Sequence, residues 1–303
     1  MPGVRALQHN SLGHLLLGVV LSLTLVAGLL AVPIPTWGAP SSVANADPAL
    51  WQEVPFDAQM FLHMQPGWYR VQHSSIYFVI YPDMPAMARG LDRVAYFVEK
   101  SATRGIIVHK DRIQDNAFYG HDYSLEDLAR FFNDLRRKRL RHDIFAEERA
   151  LRERLVAQRL LVADKRGHYT GTPHTALLGF AQAAAYPANT LPRPRDIYIH
   201  EMFHGIWFTT TYRQDVAAYW QRLPAHEQQA IIDILYQRAQ YDPRNLPLIQ
   251  REFASYFRDY HPQGVLSSPL AQELGLAKLE EYQRELRSIE QPYMHLLGGA
   301  PAR

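Results

Sequence analysis

The sequence predicts an α+β protein that is predominantly helical, with a small mixed sheet in the N-terminal half and a helical C-terminal half. Three observations lead there. Short runs rich in β-branched and aromatic residues lie before residue 181. From Asp196 onward, apolar residues recur at helical spacing between helix start and stop signals. The composition, 47% hydrophobic and 20% charged over 303 residues, is that of a folded chain rather than a disordered one.

The N-terminal element is an 18-residue run without charge, 15–32, preceded by Arg5 and by no acid. These are the basic and apolar parts of an export signal. Ala44-Asn45-Ala46 before Asp47 supplies the small residues of a cleavage site. The run is also just long enough to span a bilayer. A cleaved signal peptide and a retained membrane anchor are therefore both expected forms, and both put Asp47 onward outside the cytoplasm, periplasmic or secreted. The Pro-, Ala- and Ser-rich stretch 33–50 reads as a tether. This gives three regions: 1–46 as signal or anchor, 47–190 as an α+β subdomain, and 191–303 as a helical subdomain.

Residues 75–81 (SIYFVIY), stopped by Pro82, predict a strand, and 105–109 (GIIVH) a second. Between them Met87, Leu91, Val94, Ala95 and Val98 fall on one helical face. The stretch 120–123 (GHDY) reads as a turn that caps the following helix, with one histidine in it. Ser124 and Asp127 form a capping-box-like start for a helix carrying Leu128, Phe131, Phe132 and Leu135. Helix continues over 149–162, and 175–180 (TALLGF) reads as a buried strand. Pro187, Pro192 and Pro194 make an irregular approach to the helical half. There, Thr211-x-x-Gln214 starts one helix, Pro224 suits the first turn of a second, and Asn245 caps a third over 246–260. His261-Pro262-Gln263-Gly264 ends it, and 270–290 forms a last amphipathic helix.

Charge and residue supply exclude several function classes. Lys+Arg is 32 and Asp+Glu is 30, too balanced for a dedicated nucleic-acid binder. Cysteine is absent, which excludes disulfides, thiolate metal sites and cysteine nucleophiles. Fourteen histidines remain, so a transition-metal site has to use imidazole and carboxylate.

His200-Glu201-Met202-Phe203-His204 supplies such a site. On a helix, residues four apart sit one turn apart on the same face, so two imidazoles reach one Zn²⁺. Glu201, beside the first ligand, can reach a metal-bound water and act as general base. No proline interrupts 196–208, and Asp196 favours the helix N-terminus. A catalytic zinc keeps three protein ligands and an open position. Glu252, inside the third helix of this half, is the expected third ligand; Asp215, Glu227 and Asp233 are its rivals. The bland alternative is a buried helix that carries two histidines and a solvated Glu252.

His200-Glu-x-x-His204 followed by Glu252-x-x-Ser255 resembles the gluzincin pattern of thermolysin-like zinc metallopeptidases, over about 60 of 303 residues. The resemblance implies a zincin-like active-site helix, His200, His204 and Glu252 as zinc ligands, and Glu201 as base. The small Ser255 would let the ligand helix pack close. The family often has Asn before the third ligand, where this chain has Arg251. Tyr256, one turn from Glu252, is the expected oxyanion partner, with Tyr260 and His261 as neighbours in sequence. Asp196 and Asp259 are candidates to orient a ligating imidazole. Trp207 and Phe208 read as core. The basic run 135–142 (LRRKRLRH) reads as a solvated helix end, with anionic lipid or wall polymer as its functional alternative.

Together these features predict an exported zinc-dependent metallopeptidase acting on a peptide or protein substrate, without nucleic acid, and associated with the membrane through 15–32 if that segment is retained. The alternative is a non-catalytic zinc-binding or vestigial peptidase-like envelope scaffold. The two differ at Glu201, since a closed structural site has no use for a base.

Overall fold

A computed structural model describes residues 51–113, 118–140, 142–188, 192–258 and 274–297, apart from the side chains of Arg238, His295 and Leu297. The apolar run 15–32 lies outside these, as do Asp259, Tyr260 and His261. Among the described residues no helix is long and apolar enough to cross a membrane.

The fold is α+β and mostly helical, as expected. The β-branched, aromatic run forms β3 (Ile76–Tyr81), the middle strand of a five-stranded mixed sheet. It pairs antiparallel with β2 (Gly67–Val71) and parallel with β7 (Ala176–Ala181). Strand β1 (Gln52–Val54) extends one side, and β4 (Gly120–Ser124) closes the other, antiparallel to β7. The hairpin β5 (Leu161–Ala163) and β6 (Tyr169–Gly171) stands apart as a two-stranded sheet.

Successive strand residues face opposite sides of a sheet, and here each side has its helix. Helix α2 (Met84–Val98) lies on one face, begun by the Asp83 side chain accepting from the Ala86 amide at 2.7 Å. Leu91 of α2 fills the space that Gly179 of β7 leaves, and Tyr123 of β4 donates to the Leu91 carbonyl at 3.2 Å. Helix α5 (Pro194–Thr209) covers the other face. Tyr198 stacks on Phe61 at 4.3 Å between ring centroids and meets Phe180 at 5.3 Å, and Gly205 abuts Ile76. Phe61 belongs to the short helix α1 (Ala58–Phe61). Helices α3 (Leu125–Arg137) and α4 (Ala146–Ala157) complete the first half.

The second half stacks α6 (Tyr212–Arg222), α7 (Ala225–Ala239), α8 (Leu246–Arg258) and α9 (Leu276–Glu290). Helix α8 is central. Phe253 packs on Tyr219, Trp220 and Tyr282, so its buried opposite face, with Glu252 and Ser255, is free to meet α5.

Several local expectations change. The 105–109 run is not a strand: Gly105, Ile106 and His109 are exposed, and the edge beside β7 is taken by β4. The 120–123 stretch is that strand rather than a turn, because five residues pair in register with β7. Helix α4 starts earlier than 149 and ends at Ala157, and 161–162 belongs to β5. Ser124 caps α3 by accepting from the Asp127 amide at 3.1 Å. Thr211 gives α6 no side-chain cap; its hydroxyl meets the Tyr293 hydroxyl at 2.9 Å. The basic run 135–142 ends α3, with Lys138 on Asp134 at 3.0 Å.

Candidate metal centre

Three elements converge on one buried polar cluster. The HExxH segment is helical throughout, with Pro194 at its start and no proline inside α5, so His200 and His204 share a face. Their rings lie 4.5 Å apart. Helix α8 brings Glu252 between them: its Oε2 stands 3.6 Å from His200 Nε2 and 3.8 Å from His204 Nε2. Strand β4 supplies Asp122, whose Oδ1 is 2.9 Å from His204 Nδ1. Two triplets, His200–Glu201–His204 and Asp122–His204–Glu252, place one ligand-type atom of each residue within 4.8 Å of the others.

Two features of this cluster fit a cation. His204 Nε2 and Glu252 Oε2 are buried and have no hydrogen-bond partner, an expensive state for polar atoms unless something binds them. Donor atoms on a tetrahedral zinc are about 3.3–3.4 Å apart given metal–ligand distances near 2.0–2.1 Å, so a small contraction of the 3.6 and 3.8 Å separations brings Glu252 and the imidazoles into range. The second feature is charge. Among the described residues, Glu99, Asp122, Glu201 and Glu252 are buried together with the cationic side chains Lys100 and Arg251. Fully ionised, the carboxylates would exceed these cations by two charges, an excess that a divalent cation would balance and that burial otherwise relieves by holding protons on Asp122 and Glu99.

The titration behaviour follows from this crowding. Burial pushes Asp122 up to about 7, against the lowering effect of Arg251. Burial likewise raises Glu99 to about 8, aided by the Asp122 charge. Burial also opposes ionisation of Glu252, but His204, His200 and Arg251 outweigh it and hold the carboxylate well below its usual range. The His204 imidazole is pushed down by burial, which keeps it neutral and able to ligate. Burial works the same way on His200, but the nearby carboxylates, Glu252 and Glu201 foremost, prevail and raise it.

Glu201 lies at the side of the pair. Its Oε2 is 3.2 Å from His204 Nδ1, the nitrogen that Asp122 also faces. The carboxylate rests directly on Gly120 of β4: a Cβ there would sit 2.6 Å from Oε1. Tyr256 meets the other side of His200, with ring centroids 4.6 Å apart. Its hydroxyl pairs with that of Tyr241, and burial keeps it protonated. His200 keeps 19% of its side chain exposed while His204 and Glu252 are sealed, so solvent reaches the centre on the His200 side.

The remaining candidates are engaged elsewhere. Asp215 accepts from Tyr293, Glu227 accepts from Tyr282 at 2.6 Å, and Asp233 accepts from Gln229 at 2.9 Å. Asp196 pairs with Arg193 at 3.1 Å rather than with an imidazole. Trp207 is core, whereas Phe208 is half-buried beneath the Arg251 guanidinium at 5.0 Å. His121, next to Asp122, turns to the α2 face and bonds Asp92 at 3.0 Å and Tyr123 at 2.8 Å. Asp122, Glu99 and Lys100 are the members of the cluster that sequence reasoning missed. Asp122 had one usable signal: in a strand, Gly120 and Asp122 share a face opposite His121 and Tyr123.

Comparison with models of known protein families, with curated proteins and with solved structures gives no match.

Proposed function

We propose that the protein is an exported zinc-dependent metallopeptidase, with His200, His204 and Glu252 as metal ligands. What carries this reading is the unpartnered Glu252 Oε2 between the two Nε2 atoms of an HExxH helix, with Glu201 alongside. Imidazole and carboxylate donors without thiolate suit zinc. A zinc ion bound there supplies Lewis acidity and a water of lowered pKa. His204 Nδ1 faces two carboxylates, with Glu201 Oε2 in hydrogen-bond contact at 3.2 Å and Asp122 Oδ1 at 2.9 Å, which favours the tautomer that leaves Nε2 free to ligate. Glu201 holds the proton given up by an attacking water and returns it to the leaving amine. Tyr256, against the His200 ring, is the hydroxyl best placed to donate to a developing oxyanion there.

The substrate is a peptide or protein met outside the cytoplasm, and the run 15–32 delivers the chain there. The scaffold alternative draws on one observation: Glu201 Oε2 faces His204 Nδ1, a contact that also suits a purely structural role. Glu201→Gln separates the two. It keeps shape and hydrogen bonding but removes the base, so zinc content should be unchanged and hydrolysis of a mixed peptide library should fall by about 10²–10⁴-fold. Chelator-sensitive hydrolysis that survives Glu201→Gln at full rate rules out the base. A zinc-loaded wild type that cleaves nothing in the library favours the scaffold.

A further inference from the structure

The geometry points to Arg251 as a positioning residue that sets the metal affinity of the centre by holding Asp122 and Glu252 at once. The inference rests on the metal-centre reading above. Neighbouring helix residues are about 100° apart and do not normally face one target. Arg251 does so because its side chain is long and its head is a fork. Nη1 is 2.8 Å from Asp122 Oδ2, and Nη2 is 3.4 Å from Glu252 Oε1 and 3.2 Å from Glu99 Oε1. The guanidinium is itself fixed, with its carbon 5.0 Å from the Phe208 ring centroid in a site only 5% exposed.

The pairing is selective by atom. Of the two Glu252 oxygens, Arg251 engages Oε1 and leaves Oε2 for the imidazole pair. Of the two Asp122 oxygens, it engages Oδ2 and leaves Oδ1 on His204 Nδ1. One side chain therefore directs a ligand from α8 and, through Asp122, a ligand from α5. It also prevents the two carboxylates from repelling one another out of position. Lysine at 251 would keep the charge but not the fork, and could satisfy one carboxylate at a time.

The test is zinc affinity of the full chain in detergent, stripped of metal and titrated against a chromophoric chelator, with the melting temperature of the metal-free protein as a control. Loss of a partner that orients ligands costs about 10–100-fold in metal affinity, and Arg251→Met should fall in that range. Arg251→Lys should recover only part of the loss. Asp122→Asn alone should weaken binding comparably, and the double variant Arg251→Met/Asp122→Asn should be little weaker than the worse single one, because both act through one linkage. A residue that merely packs would lower the melting temperature and multiply with Asp122→Asn. If Arg251→Met does not fold, the same cycle with Arg251→Lys decides. Zinc affinity within twofold of wild type for the Arg251 variants, or effects that multiply, overturns this role while leaving the metal centre standing. A wild type that binds no zinc overturns both.

Discussion

Replacing Gly120 by alanine tests the alignment of Glu201 without touching any ligand. An alanine Cβ would lie 2.6 Å from Glu201 Oε1 and 2.8 Å from its Cγ, where ordinary contact begins at 3.4 Å. The carboxylate must therefore yield by about 0.8 Å. The helix cannot retreat with it, because α5 is seated on the sheet by Gly205 against Ile76 and by the Tyr198 aromatic cluster. The backbone has no objection of its own: Gly120 is an ordinary strand residue, and alanine recovers about 0.5–1 kcal/mol of chain entropy. A misplacement near 1 Å in a catalytic group costs about 10²-fold. Gly120→Ala should therefore lower kcat/KM by about two orders of magnitude on any peptide the wild type cleaves, with zinc content and melting temperature close to wild type. The measurements are metal analysis, thermal melting and steady-state hydrolysis on one preparation. Full activity in a zinc-loaded Gly120→Ala protein would refute the role given to Glu201, and loss of zinc would refute its exclusion from the ligand set.

Other outcomes follow from the same geometry. His204→Ala removes a proposed ligand and the imidazole facing Asp122 together, so metal analysis should show most zinc lost; unchanged metal would refute the ligand assignment. Asp242 is held down to about 2: burial opposes its ionisation, but Arg244 and Arg104 outweigh it. A carboxyl lowered in the folded state gives stability that is present above about pH 4 and lost as pH falls toward 2. Because both arginines are solvent-exposed, Asp242→Asn should cost only about 1 kcal/mol at pH 7, a deficit that thermal melts should show vanishing near pH 2. A reporter active only in the periplasm, fused after Asp47, should be active, and mass spectrometry of the mature N-terminus distinguishes a cut after Ala46 from a retained anchor.

The local parts of the centre were legible in the sequence. His200, Glu201 and His204 are bound together by helical periodicity, and Glu252 falls inside a helix with readable start signals. Asp122 was not legible, because its role depends on which strand pairs with β7. The 105–109 run has the composition of a strand, whereas 120–123 has that of a turn, and pairing with β7 gave the edge to the latter. Arg251 was visible only as a departure from a family pattern. Its three carboxylate partners come from β4, α8 and the end of α2, which no periodicity links.

The contact between Asp122 and Arg251 joins residues far apart in the chain, and that separation orders events in time. A chain that emerges N-terminus first exposes Asp122 early and both histidines later, yet has nothing to hold the carboxylates together until α8 has followed. On the metal-centre reading, the site is therefore complete only once α8 has docked against α5 and β4. A chain that ends before α8 carries the HExxH sequence without Glu252 or Arg251, so on the same reading it should bind zinc far more weakly than the full chain.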